Sequence, residues 1–331
     1  MSPYVERLID GRLNGLLGEF PAVSVVGPRA CGKTTTARRH ARVIARSGPP
    51  RGSRAFPCRP TAFLDTLADG QPATIESASP FTITDYVDMA IHGGLPQPTL
   101  LLSGRGPADW LAAYADHVVE RDAPAHFGHR DPQLFRRMLT AVAANTAGVP
   151  TALTLAEAAG IDRRTVGSYL SRLADLFVVE QVPAWASNRL SRLTSAPKLF
   201  VTDPSLVGAL LGLDRQAILR NGDLLGRIIE TFVFAQLRAE LPVASSRPRL
   251  HHLRNRDGRG IDVVVEFADG TIAAIEVKAS AAATRRDARH LIWLRDQVAD
   301  RFAGGVVLHT GPHAFQLDEQ IWALPIGSLW G

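Results

Sequence analysis

Gly27-Pro28-Arg29-Ala30-Cys31-Gly32-Lys33-Thr34 has the spacing G-x-x-x-x-G-K-[ST] of a phosphate-binding loop. The chemistry requires those residue types in that order. Glycines let the main chain approach an anion closely, and backbone N–H groups at the start of the following helix surround its oxygens. Lys33 would reach the β- and γ-phosphates of ATP, Thr34 would ligate Mg²⁺, and Thr35 follows at the helix start. The run Ala22-Val23-Ser24-Val25-Val26 reads as a buried strand ahead of the loop, and Lys33 to Ala45 reads as a helix behind it. The competing reading is a glycine-rich turn at an ordinary strand–helix junction. Hydrolysis needs a further strand ending in a carboxylate for the metal. Ala62-Phe63-Leu64-Asp65 and Ala73-Thr74-Ile75-Glu76 are the candidates, and both are poor. The expectation is nucleotide binding without efficient turnover.

A second constellation lies near the other end of the chain. Ile261–Phe267 and Thr271–Lys278 flank the turn Ala268-Asp269-Gly270. A three-residue loop pairs 267 with 271 and therefore Asp262 with Glu276, directly opposite on one face, with Lys278 two residues on. Opposed like charges between apolar strands need a cation to offset them, either Lys278 or a divalent metal. Two carboxylates holding Mg²⁺ beside a lysine that positions water is the layout of D-x(n)-E-x-K nuclease cores, although Ile261 stands where the strict form has Pro. Glu230, on the preceding helix, sits where such cores often supply another acid. A buried Asp–Lys–Glu network with a structural role alone fits the same residues.

Leu155–Leu170 has the layout of a helix–turn–helix. Thr154 with Glu157 reads as a capping box, Gly160 as the stop, and Asp162 as the next cap. Val166, Leu170, Leu173 and Leu176 make the inner face of the second helix. Arg163, Arg164, Ser168 and Arg172 are left on the outer face, where a major-groove reader carries them. Phe177–Val182 would be the wing. DNA binding and inter-domain packing are both compatible with this unit.

The elements that position these groups follow from composition and periodicity. The chain has 331 residues, 46% hydrophobic and 21% charged, with a net charge of +5, which suggests two or three globular domains rather than a disordered or fibrous chain. No apolar run is long enough to span a membrane, the N-terminus lacks a secretory pattern, and two cysteines (Cys31 and Cys58) suit a reducing cytoplasm. Residues 47–60, with four Pro and two Gly, read as a linker. Only Lys33, Lys198 and Lys278 are Lys among 37 basic residues, so each lysine marks a place where a compact ammonium is wanted. The expected class is α/β. Residues 1–100 form an incomplete P-loop module, 101–195 a helical and winged helix–turn–helix segment, and 196–331 a restriction-endonuclease-like domain.

Three stretches together resemble the bacterial and archaeal AAA-type P-loop ATPases that carry a C-terminal nuclease-like domain of unknown function. They are Tyr4–Ala37, then Gly93-Gly94-Leu95-Pro96 with Glu120-Arg121-Asp122 and Ala196–Asp203, and finally Gly258–Asp262 with Ile275–Ser280. The resemblance implies a nucleotide bound at Gly27, Gly32, Lys33 and Thr34, and a nuclease-like constellation of Asp262, Glu276 and Lys278. Roughly 80–100 residues that family members carry between the P-loop and the Gly-Gly-Leu-Pro segment, including the metal-binding strand, are missing here, at a scale of about half a domain. The function expected is ATP binding, associated with DNA, with weak or no hydrolysis. The alternatives are a metal-dependent nuclease and a non-catalytic regulatory or DNA-binding protein.

Overall fold

A computed structural model describes residues 4–19, 23, 25–40, 63–70, 78–122, 131–187, 192, 195–255 and 258–330. The architecture is mixed α/β. The C-terminal part is built on a six-stranded sheet of β3 (Arg249–Arg254), β4 (Gly260–Glu266), β5 (Ile272–Lys278), β6 (Phe302–His309), β7 (Phe315–Asp318) and β8 (Ile321–Pro325) in the order β3-β4-β5-β6-β8-β7. β3, β4 and β5 run as an antiparallel meander, β5, β6 and β8 are parallel, and β7 closes the edge antiparallel. The central strands are apolar on both faces because both faces are covered. Val263, Val265, Ile275 and Leu308 join the large core with the helix Gly222–Glu240, whereas Val264, Ala274 and Val307 pack with Leu291 and Leu294 of the helix Arg289–Val298.

The hairpin register is the one expected. Val263 pairs with Ile275 and Glu266 with Ile272, and the Phe267 N–H donates to the Thr271 carbonyl at 3.0 Å. Continuing that ladder sets position 262 opposite 276. Strands β7 and β8 were not anticipated from the sequence.

In the middle of the chain, β1 (Val179–Val182) pairs antiparallel with β2 (Lys198–Val201), so the wing spans fifteen intervening residues instead of forming a local hairpin. The first helix of the helix–turn–helix runs Ala152–Ala159, three residues earlier than expected. Its cap is Thr151, whose hydroxyl accepts from the Thr154 N–H, so Thr154 and Glu157 are not a capping box. Gly160 ends that helix in the left-handed conformation and Asp162 caps the turn that follows, both as expected. In the second helix, Val166–Asp175, the buried residues are Val166, Tyr169 and Leu173. Tyr169, against Phe135 at 5.9 Å, takes the inner position expected of Leu170, which is half-buried.

The N-terminal segment departs most from expectation. Val23, Val25 and Val26 lie outside any strand, and Val26 is 73% exposed; Ala22 and Ser24 lie outside the described residues. Ala62 is likewise outside them, and Phe63–Ala68 is a helix, so Asp65 does not end a strand. Its carboxylate accepts the N–H and hydroxyl groups of Ser245 and Ser246, which fastens this helix to the C-terminal part. The linker at 47–60, Ala73–Glu76 and Cys58 lie outside the described residues. Among the described residues no helix is long and apolar enough to cross a membrane.

Candidate functional site

The phosphate loop joins the helices Leu8–Glu19 and Lys33–His40. Asp10, almost fully buried, holds these helices together by accepting from the Tyr4 hydroxyl, the Arg7 N–H and the His40 ring. Burial pushes the Asp10 carboxyl up, but the Arg7 N–H, Tyr4 and His40 outweigh it and hold the group below the usual aspartate range. In the loop, Gly27, Ala30 and Gly32 have φ values of 152°, 59° and 83°. A Cβ at Gly32, where φ is 83°, would lie 2.1 Å from the Arg7 guanidinium, so Arg7, which donates to the Cys31 carbonyl, would have to move. Lys33 folds over the loop and donates to the carbonyls of Gly27 (2.8 Å) and Pro28 (2.6 Å). Arg29 pairs with Asp122 at 2.8 Å, and Tyr114 donates to the Arg29 carbonyl. Thr35 is exposed at the helix start; the side chain of Thr34 lies outside the described residues.

This loop opens on a cavity of about 1090 Å³ that reaches Gly94, Asp203, Phe232 and Trp330. At its wall, Gly93 ends the helix Ile83–His92 with φ 67°, and a Cβ there would lie 2.2 Å from Asp203 Oδ1. Asp203 accepts from the Gly94 N–H at 2.9 Å, so the Gly-Gly-Leu-Pro turn and the Lys198–Asp203 stretch meet. Gly27, Pro28 and Cys31 of the loop line this cavity, while the Lys33 ammonium is turned onto the loop carbonyls. Asp10 and Asp65 are spent on structural contacts, and among the described residues no group of three His, Cys, Asp or Glu side chains is arranged to hold a metal.

The second constellation assembles around Lys198, a residue given no role by its sequence neighbourhood. Phe200, two residues along β2, stacks on Phe234 at 4.0 Å and 9°. Two residues of strand advance about 6.6 Å, and four residues of helix about 6 Å. Lys198 therefore falls beside Glu230, one turn before Phe234, and the two form an ion pair. The same ammonium lies 3.1 Å from Asp262 Oδ1, and the Val277 N–H donates to Asp262 Oδ2 at 3.0 Å. Lys278 pairs with Glu276 at 2.7 Å, as one expected reading had it. Lys198 is 8% exposed at its side chain, Glu230 13% and Glu276 12%.

Three carboxylates thus face two ammonium groups in a buried setting. Burial, and then the charge of Asp262, push both Glu230 and Glu276 up to about 8. Burial alone would lower Lys198, but Asp262 and Glu230 more than reverse this and hold it above the ordinary lysine value. Glu276 Oε2 is buried with no hydrogen-bond partner among the described residues. Glu230 also lines a cleft of about 420 Å³ with Arg227, Asp223 and Arg254. The two oxygens of Asp262 each accept one hydrogen bond, Oδ1 from Lys198 and Oδ2 from the Val277 amide.

On the helix–turn–helix, Arg163, Arg164 and Ser168 are exposed, and Arg172, one helical turn after Ser168, is half-buried.

Comparison with known proteins places two family matches along the chain. Residues 83–217 match a domain of unknown function, DUF8612, and residues 225–329 match another, DUF4143. The chain is 30% identical over 237 residues to the uncharacterized proteins Mb2031c of Mycobacterium bovis and Rv2008c of Mycobacterium tuberculosis, covering 71% of this chain and 51% of each relative. It spans about half the length of these curated relatives. No solved structure matches. The division between the two matched families lies within 218–224, at the start of the helix that carries Glu230, so Lys198 belongs to one and Glu230, Asp262 and Glu276 to the other.

Proposed function

We propose that this chain is an ATP-binding protein of the AAA-type P-loop kind that associates with DNA and turns its nucleotide over slowly or not at all. The observation that carries the reading is the phosphate loop. Its glycines adopt positive φ, its lysine is held at the loop neck, and it opens on a cavity large enough for a nucleotide. The phosphates would be held by the backbone amides of 29–33 and by Lys33, which would exchange the Gly27 and Pro28 carbonyls for phosphate oxygens. Weak hydrolysis is in keeping with Asp65 lying on a helix and being engaged by Ser245 and Ser246 instead of ending a strand beside the loop. The finer domain reading goes with this: an incomplete P-loop module, a winged helix, and an endonuclease-like sheet, acting in the cytoplasm.

The test is a titration with ATP of the wild type and of Lys33→Ala. A charge-assisted hydrogen bond of about 1.5–3 kcal/mol predicts a loss of affinity of roughly ten- to 150-fold. Equal, negligible affinity for both would remove the loop's role. The alternative, a metal-dependent nuclease, draws on the ladder that sets Asp262 opposite Glu276. Incubation of plasmid DNA with Mg²⁺ or Mn²⁺ separates the two readings: cleavage lost in Asp262→Asn would favour the nuclease. A non-catalytic regulatory protein predicts partners with neither activity.

A further inference from the structure

Besides Lys33, the phosphate loop is held by a second cation that does not belong to the loop itself. Arg7 precedes the helix Leu8–Glu19, and its main chain is fixed on both sides. Its N–H donates to Asp10 Oδ2 at 2.9 Å, and its carbonyl accepts from the Asp10 N–H at 3.0 Å. Asp10 is buried and also pairs with His40, so the start of this helix is anchored to the end of the helix Lys33–His40. From that anchor the Arg7 side chain reaches the loop, where Nη1 donates to the Cys31 carbonyl at 2.6 Å and the guanidinium lies against Gly32. The two cations therefore hold opposite ends of the loop, Lys33 at the carbonyls of Gly27 and Pro28 and Arg7 at that of Cys31. They differ in one respect. Arg7 lines the 1090 Å³ cavity together with Gly27, Pro28 and Cys31, whereas Lys33 does not line it.

Charge points the same way. Among the described residues no carboxylate pairs with the Arg7 guanidinium, whose hydrogen-bond partner is a neutral carbonyl. Arg29, the arginine of the loop itself, is engaged by Asp122. The acids on the cavity wall have partners of their own: Asp203 accepts from Gly94 and Ser205, Asp85 from Thr82, and Asp88 pairs with Arg215. A guanidinium without a counter-charge at the wall of a cavity presents a planar fork of donors that matches phosphate oxygens.

We propose that Arg7 is a phosphate-holding residue, and that the loop seats a polyphosphate between two cations, Arg7 on the cavity side and Lys33 at the neck. This rests on the reading of the loop as a nucleotide site and adds to it a residue from outside the motif. On binding, the guanidinium would exchange the Cys31 carbonyl for phosphate oxygens, as Lys33 would exchange those of Gly27 and Pro28. Its fork can grip two oxygens of one phosphate, which an ammonium does not do. Gly32 then serves two ends: its positive φ shapes the loop, and the missing Cβ lets the guanidinium lie against it. The buried Asp10 sets the distance between the two cations, because it fixes the main chain of Arg7 and the far end of the helix that Lys33 begins.

The experiment titrates the full chain with ATP and with inorganic tripolyphosphate by calorimetry, as wild type, Lys33→Ala and Arg7→Gln, at about 50 mM and about 500 mM salt. Glutamine can still donate to the Cys31 carbonyl but carries no charge. Arg7→Gln is expected to bind roughly ten- to 150-fold more weakly at the lower salt. The deficit should shrink at the higher salt, where screening has weakened the lost charge. Wild-type affinity in Arg7→Gln would overturn the proposal. So would a deficit equal at both salts, which a distorted loop would give, and so would tighter binding, which would make Arg7 a plug of the site. Where Arg7→Gln does not fold, the wild type decides: tripolyphosphate should protect Arg7 from phenylglyoxal, read by peptide mass spectrometry, and an unchanged rate of modification overturns the proposal. ATP binding that needs Lys33 and not Arg7 would refute this proposal and leave the nucleotide reading standing. Tripolyphosphate binding that needs Arg7, with no binding of ATP, would do the reverse. Binding of neither ligand would refute both.

Discussion

Replacing Glu240 by Gln isolates the cost of one buried carboxylate at the joint between the N-terminal and C-terminal parts. Glu240 ends the helix Gly222–Glu240, is 6% exposed, and accepts from the Leu64 N–H at 3.0 Å, beside Asp65. Burial pushes its carboxyl up to about 7; the Leu64 N–H opposes that rise and the charge of Asp65 adds to it. In the unfolded chain the group titrates near its ordinary 4.5. Between those values the folded state binds the proton and the unfolded state has released it, so stability falls as pH rises and the full penalty is present above about pH 7. At about 1.4 kcal/mol for each pH unit, the gap is worth about 3 kcal/mol. Gln keeps an acceptor for Leu64 and removes the charge. Any loss from its imperfect hydrogen bonding is about 1 kcal/mol and does not vary with pH. The quantity to measure is therefore the difference between variant and wild type, by urea unfolding, at pH 4.5 and again at pH 8. Glu240→Gln should gain about 3 kcal/mol relative to wild type on going from the lower pH to the higher. A difference that stays constant across that window would refute the assignment of a buried, charge-penalised carboxylate.

Two further outcomes test the surroundings of the phosphate loop and the helix–turn–helix. Gly93→Ala places a Cβ 2.2 Å from Asp203 Oδ1 at φ 67°, and left-handed strain alone costs about 1–2 kcal/mol; with the broken Gly94–Asp203 bond, urea unfolding should show a loss of more than about 2 kcal/mol, and an unchanged midpoint would refute the tight packing of that turn. Arg163→Glu with Arg164→Glu reverses two exposed charges on the helix–turn–helix; if that face contacts DNA phosphates, affinity should fall for every sequence and the salt dependence should weaken by about one unit of slope per arginine. Unchanged binding in a gel-shift titration would leave the unit as a packing element.

What could be read from the chain depended on how local the determining contacts are. The hairpin register was legible because a three-residue loop leaves a single way to pair its flanks, and Val263 meets Ile275 accordingly. The cap of the helix Ala152–Ala159 was misplaced because Thr151 and Thr154 both satisfy local capping rules, and Thr154-x-x-Glu157 offered the fuller motif. The helix nevertheless starts three residues earlier, where its Leu155, Ala156 and Ala159 reach the core. The valines ahead of the phosphate loop failed for a related reason. An apolar run marks a strand only if other strands flank it, and no described strand flanks Val25 or Val26.

Lys198 shows the limit most sharply. Lysine is rare in this chain, and that rarity pointed to the position, but its neighbours Ala196, Pro197 and Leu199 say nothing of a partner. Its role depends on two contacts far away in sequence, with Asp262 and Glu230. Those contacts exist because β2 lies along the helix Gly222–Glu240 with Phe200 on Phe234, so that one strand step of two residues and one helix turn place the ammonium beside the acid. Neither segment encodes that alignment alone, and the two fall in different family matches. The acids by themselves read as a metal site. The acids together with a lysine supplied from the wing sheet read as a closed ionic joint. A buried carboxylate pair is thus incomplete information about chemistry until every element packed against it has been asked what charge it brings.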